Sequence, residues 1–320
     1  MDAAVPGFSF LFQILNCLLI VDGHAYAYRA FYAIRSLSSP AGQPTNAIYG
    51  FIKMLAKMRA TVKPTHVIVV WDGGLSAERR AALPEYKAQR PEMPADLAGQ
   101  LDEIGRYLAA ANIASFCGDG IEADDYIACM TRAAAQAGWE VVIASADKDF
   151  MQLVAPGTGL LNPNDKSETI WTAAQVRAKT GVVPEQIVDW LSLLGDSVDN
   201  IPGVPGVGPK TATELLRQFG SVAELYRRLD EVKSTRIRAA LAAAAADVRR
   251  NQKLVRLQDD LACEFSPAAL VEQPVNGGRL AELFGAWGFR SLRAELEAGR
   301  VNPVVGGVAA ASPARQENLF

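Results

Sequence analysis

Cysteine and histidine are scarce: the 320 residues hold four of the first and two of the second. Cys17, Cys117, Cys129 and Cys263 stand far apart without a CxxC pair, so neither a zinc site nor a disulfide framework is expected, and a reducing compartment fits this usage. No apolar run is long enough to cross a membrane, which takes about 20 residues. The stretch from Phe8 to Val21 is broken by Gln13 and Asn16 and lacks the basic start and small-residue cleavage pattern of a leader. Its second half reads as a first strand, and the residues before about Leu15 as an unstructured start. An excess of basic charge is missing too. A formal net charge of −3 argues at first against a nucleic-acid partner, because phosphate binding is driven by Lys and Arg. Composition otherwise fits a cytoplasmic globular enzyme: with 50% hydrophobic and 21% charged residues, the chain can bury one large core or two smaller ones.

Against these absences stand three short apolar runs that each end on an aspartate: Leu18 to Asp22, Val67 to Asp72 and Val141 to Asp147. Val- and Ile-rich runs bounded by Gly or Asp read as buried parallel strands, and open α/β sheets place their chemistry at the carboxyl ends of such strands. Carboxylates gathered there repel one another and lose hydration, so hard cations belong among them. Helical spacing separates the runs, with Ile48, Phe51, Ile52 and Leu55 on one helix and Leu97, Leu101, Ile104 and Leu108 on another. Strand and helix patterns alternate from Leu18 to about Trp171, as in a parallel sheet with right-handed crossovers. From Thr172 short helices punctuated by Gly and Pro take over to about Ala298. Val301 to Phe320 is rich in Gly, Ala, Ser and Pro and reads as a flexible tail.

Further acids gather at helix starts and turns. Glu122, Asp124 and Asp125 open a helix running to about Ala137, with Glu122 and Asp125 at i,i+3 where they can share a face. Asp147 and Asp149 follow the third run, and Asp196 and Asp199 repeat the i,i+3 spacing after Trp190 to Leu194. Each pattern alone is ordinary, since acids favour helix N-termini and turns. Together the nine point to two cations with oxygen ligands, Mg²⁺ or Mn²⁺ in preference to zinc. His24 and His66 read as packing or supporting residues. Setting the nine acids aside turns the net charge from −3 to +6, which leaves a basic remainder suited to a polyanion.

Gly203 to Ala212 reads GVPGVGPKTA. A P-loop is excluded because Pro209 separates Gly208 from Lys210; a Gly-rich hairpin between two helices fits better, its free backbone N–H groups directed at one phosphate. Arg79 to Pro91 interleaves Arg79, Arg80, Lys87 and Arg90 with Tyr86, a mixture suited to phosphate contact and base stacking.

VDGHAYAYRAF from Val21, WDGG through PEYKAQRPEMP from Trp71 to Pro94, GIEADD, SADKDFMQL and LLGDSVDNIPGVPGVGPKTA closely resemble the 5′–3′ exonuclease of bacterial DNA polymerase I, within the flap endonuclease superfamily, over about Leu18 to Leu296. The resemblance implies an α/β, PIN-like parallel-sheet nuclease core with a helical arch (residues 15–175), a helix–three-turn–helix module of the helix-hairpin-helix kind (176–299) and the tail (300–320). By matching position it implies Asp22, Asp72, Glu122, Asp124, Asp125, Asp147, Asp149, Asp196 and Asp199 as metal-site acids and Lys87 and Arg90 as the catalytic basic pair at the scissile phosphate. Tyr86 would stack on substrate, and Arg29 and Arg79 would be further DNA-binding positions. Gly203, Gly206, Gly208, Lys210 and Thr211 would clamp the duplex backbone and could hold K⁺. Glu78 departs from the family pattern, which has an aromatic before the arginine. The expected protein is a monomeric, nucleoid-associated bacterial nuclease acting on DNA with a 5′ flap, nick or frayed 5′ end. RNA primers as substrates stay open, as do two other readings: a non-catalytic DNA-binding relative, and the amino-terminal piece of a longer DNA polymerase I.

Overall fold

The Val- and Ile-rich runs form the centre of a six-stranded sheet. The computed structural model describes residues 16–163, 169–263 and 265–299; the expected unstructured start and flexible tail lie outside them. In chain order the elements of the nuclease core are β1 (Cys17–Asp22), α1 (Gly23–Ala33), α2 (Asn46–Val62), β2 (His66–Trp71), α3 (Ala77–Ala82), α4 (Ala95–Ala110), β3 (Ala114–Cys117), α5 (Ala123–Gln136), β4 (Glu140–Ala144), β5 (Thr158–Leu161) and β6 (Ile170–Trp171). The strand order is β3-β2-β1-β4-β5-β6, all parallel except β6, which runs antiparallel to β5. Chain progression therefore leaves β1 toward β2 on one side and resumes at β4 on the other. Such a reversal of strand order opens a crevice at the carboxyl edge, where open α/β sheets bind ligands.

Side chains alternate across the sheet, so Leu18 and Ile20 enter one core while Leu19 and Val21 enter the other. The second core is closed by α1, α2 and α4. The first is covered by α5 and continues without interruption into the helical region, which comprises α6 (Ala173–Thr180), α7 (Ile187–Leu194), a ribbon of β7 (Gly195–Asp196) and β8 (Ile201–Pro202), α8 (Pro209–Phe219), α9 (Val222–Arg227), α10 (Thr235–Ala243) and α11 (Ala245–Val255). After α12 (Pro267–Leu270), helices α13 (Gly277–Trp287) and α14 (Arg290–Glu297) return to the nuclease core. Leu280, Phe284, Trp287 and Leu292 join the α2–α4 side, and Arg59 pairs with Glu272 at 2.6 Å. Residues 275–296, expected within the helical module, thus pack on the α2–α4 side of the nuclease core.

Two local findings differ from the sequence expectation. Cys129 of α5 and Cys263, 134 residues apart, are joined as a disulfide; spacing gave no hint of it because the pairing is made by the tertiary fold. The segment expected to arch over the site is the short α3 followed by a turn that folds down on β7–β8, with Lys87 N–H donating to the Asp199 carbonyl at 3.0 Å and Asn200 Nδ2 donating to the Glu85 carbonyl at 2.9 Å. Among the described residues no helix is long and apolar enough to cross a membrane.

Candidate metal centre and nucleic-acid interface

Asp22 ends β1 and caps α1, its Oδ1 accepting from Ala25 N–H at 3.0 Å and its Oδ2 from Ser145 Oγ at 2.8 Å. Asp72 follows β2, and its Oδ1 accepts from Ala123 N–H, which fixes the start of α5. Its own N–H donates to Nδ1 of His24, whose ring stands edge-on to Trp71, so His24 supports the aspartate. β4 stops at Ala144, three residues short of Asp147; Asp147 instead caps the short 3₁₀ helix Lys148–Leu153, accepting from Asp149 N–H at 2.8 Å. Asp124 lies in the first turn of α5. From the helical side, the tight β7–β8 ribbon presents Asp196 and Asp199. The ribbon's ends allow only glycine at Gly195 and Gly203, where a Cβ would run into the facing backbone. Gly203, expected at the DNA clamp, is thus fixed first by this close approach.

Seven carboxylates share this edge. Burial, and then repulsion from Asp147, Asp22 and Asp72, holds Asp124 well above the usual carboxylate range. Burial likewise raises Asp149, Asp147 and Asp22, the last to about 6, with the neighbouring aspartates adding to it. Such groups ionise together only beside a cation. Asp149, Asp196 and Asp199 each bring one oxygen within 4.8 Å of the others, and buried Oδ1 of Asp149 has no hydrogen-bond partner. A dry, unpartnered oxygen within an all-oxygen donor set fits a hard divalent ion.

The other two acids are placed differently. Glu122 Oε2 accepts from Lys87 Nζ at 2.7 Å and Tyr86 Oη at 3.1 Å, and Oε1 from Ser76 N–H at 2.9 Å. Burial works against its charge, but Lys87 and Arg79 hold its carboxyl below the usual range. Asp125 takes both arms of the Arg79 guanidinium at 2.6 Å and Gln258 N–H at 2.8 Å. Both acids face cations of the chain, as their i,i+3 spacing allows.

The basic residues divide in the same way. Arg79 and Tyr86, expected to meet DNA, are each 4% exposed and point inward. Lys87 is buried as well, with φ at +56°, a left-handed backbone held by the Asp199 contact. Arg90 is the accessible member of the pair, donating to Asp199 Oδ1 at 2.6 Å. Arg29 donates to the Pro163 carbonyl at 2.7 Å. Around the Gly-rich hairpin, Gly206 takes φ +79°, Gly208 caps α8 with Pro209 at its first turn, Lys210 is exposed and Thr211 half-buried. Sequence reasoning missed Ser145, which bridges Asp22 and Asp147 N–H, and Lys148, 2.9 Å from Asp196. The only signal for either was its place inside SADKD.

Residues 17–181 match the family model of the 5′–3′ exonuclease N-terminal resolvase-like domain, and 182–277 match that of the 5′–3′ exonuclease C-terminal SAM fold. The chain belongs to the 5′–3′ exonuclease family. It is 36% identical over 283 residues to a 5′–3′ exonuclease of Aquifex aeolicus, covering 88% of this chain and 96% of that one. It is also 38% identical over 281 residues to DNA polymerase I of Bacillus subtilis, covering 87% of this chain but 32% of the relative; the chain spans about a third of such polymerases. The bacteriophage T5 flap endonuclease, solved as a pseudo-enzyme–product complex with DNA and metal ions, shares the fold with a TM-score of 0.63 at 22% identity, covering 89% of this chain and 98% of that one. As a 5′–3′ exonuclease family member the chain is a metal-dependent nuclease, and its Asp149–Asp196–Asp199 cluster has the oxygens a divalent-metal site needs.

Proposed function

We propose that this chain is a structure-specific 5′–3′ exonuclease and flap endonuclease that hydrolyses DNA phosphodiesters and leaves 5′-phosphate ends. The observation that carries the reading is the seven-carboxylate edge, with its unpartnered Asp149 oxygen, lying beside Arg90 and Lys87. Asp22, Asp72, Asp124 and Asp147 from the nuclease core and Asp149, Asp196 and Asp199 next to the ribbon offer enough oxygens for two ions, with Mg²⁺ the hard cation that suits them and Mn²⁺ a substitute. Magnesium held there supplies activation of water and neutralisation of phosphate charge. Arg90 meets the phosphate from solvent. Lys87 gives up Glu122 for it, adding a cation where charge develops. The α8 N-terminus and the hairpin, with Gly206, Gly208, Lys210 and Thr211, hold duplex backbone through N–H groups and the exposed lysine, with K⁺ as a further occupant.

Cleavage of end-labelled flap, nicked and blunt duplexes with Mg²⁺, against EDTA, tests the reading. Short products carrying 5′-phosphate are expected from flap and nick. Release of 3′ nucleotides would overturn the polarity, and no cleavage of any substrate would favour a DNA-binding relative without activity.

A further inference from the structure

Arg79 is a buried cation at a crossing of three parts of the molecule. Its guanidinium forks onto Asp125 at 2.6 Å on both arms. It also donates to the Leu254 carbonyl at 3.0 Å and the Arg256 carbonyl at 3.1 Å, the exit of α11, and lies 3.2 Å from Glu122. The same strap, residues 254–263, is fastened at several other points. Gln258 N–H donates to Asp125 and Gln258 Nε2 to Glu78; Gln152 brackets Val255 and Leu257; Cys263 is bonded to Cys129. On its other side Glu122 accepts from Lys87. A line of hydrogen bonds and one ion pair, Arg79 with Glu122, therefore runs from the helical region to the lysine beside the carboxylate edge.

We infer that Arg79 and Asp125 are positioning residues that act through Glu122 to set Lys87 for the phosphate, tying that lysine to the seating of the helical region. The inference rests on the proposed nuclease activity but concerns two residues buried behind the carboxylate edge. Two physical points carry it. A planar fork satisfied by a carboxylate and two carbonyls is fixed in place, because leaving any of these buried groups unpaired is costly. Glu122 has two cations, so when Lys87 turns to substrate Arg79 remains to neutralise it. Without Arg79 the move would strand a buried carboxylate, which is strongly unfavourable.

A double-mutant cycle on single-turnover flap cleavage, together with lysine labelling, tests the line. Asp125→Asn should slow cleavage about 10- to 100-fold while affinity for flap DNA in Ca²⁺ stays within about twofold; in a Lys87→Met background the same change should cost less than about threefold, because residues acting as a unit are not additive. Acetylation of Lys87 by acetic anhydride, read peptide by peptide against Lys148, should rise severalfold in Asp125→Asn and in Arg79→Lys. Equal losses in both backgrounds, an unchanged Lys87/Lys148 ratio, or recovery of Asp125→Asn on raising Mg²⁺ would overturn the inference, the last by making Asp125 a metal ligand. A wild-type chain that cuts nothing defeats the nuclease reading alone, since the labelling ratio still judges the line.

Discussion

Two groups of acids on neighbouring elements have opposite surroundings. Asp22, Asp72, Asp124, Asp147, Asp149, Asp196 and Asp199 face one another, and burial with mutual repulsion pushes several of them up. Glu122 and Asp125, within two residues of Asp124, face Lys87 and Arg79, and Glu122 is held down. α5 presents Asp124 to one group and its flanking acids to the other, because positions one residue apart diverge around a helix. Under the proposed metal site, what separates the two groups is who supplies the cation. Among the described residues, the seven acids of the first group have only the cations Arg90 at Asp199 and Lys148 at Asp196 in direct contact, while both acids of the second are paired by Arg79 and Lys87.

The sharpest way to break this comparison is to neutralise one acid in each group. Asp149→Asn removes the charge and one oxygen of the carboxylate that holds the unpartnered atom and should lower Mg²⁺-dependent cleavage about a thousandfold or more, with DNA binding in Ca²⁺ retained in a gel-shift assay. Glu122→Gln should act on folding, and on cleavage only through the lysine it holds. Lys87 and Arg79 are buried beside it, and breaking a buried pair costs about 3–5 kcal/mol, read as lost stability in urea unfolding. Calorimetric titration of Glu122→Gln with Mn²⁺ should give wild-type stoichiometry. If Glu122→Gln loses metal as completely as Asp149→Asn, the two groups are one.

Most of the fold was legible before the structure. The three runs ending on aspartate became β1, β2 and the approach to Asp147, and the Ile48 and Leu97 patterns became α2 and α4, because a period of two or 3.6 buries a predictable face. The carboxylate edge was legible as well, since strand ends in an open sheet converge. The allotment of Glu122 and Asp125 was not. Both spacing and resemblance grouped them with the other seven, and their pairing with Arg79 and Lys87 depends on the three-dimensional return of residues 254–258, which spacing does not encode. Tyr86 was misleading for a related reason: an aromatic among basic residues suits stacking on a base, yet here its ring is buried and its hydroxyl reaches Glu122. The disulfide and the docking of α13 on α4 also depend on long-range closure, which local pattern does not encode.

A smaller effect sharpens the comparison through pH. The Asp22 carboxyl is raised to about 6 from an ordinary 3.8, chiefly by burial. Its folded form thus holds a proton more tightly than the unfolded chain. The stabilising contribution is complete below about pH 4 and is lost as pH rises through about 6, amounting to roughly 3 kcal/mol across that window. In EDTA, therefore, wild type should lose stability relative to Asp22→Asn between pH 4 and 7, and Mg²⁺ should restore it at the upper end, because the ion favours the charged form. Glu122 carries the opposite sign: its depressed carboxyl contributes stability at neutral pH that falls away on acidification, with or without Mg²⁺. Urea unfolding of wild type, Asp22→Asn and Glu122→Gln at pH 4.5, 5.5 and 7, each with EDTA or Mg²⁺, separates the two. A metal-independent Asp22 profile would mean that its charge is already balanced by the protein, and the division between the two groups of acids would fail at its first member.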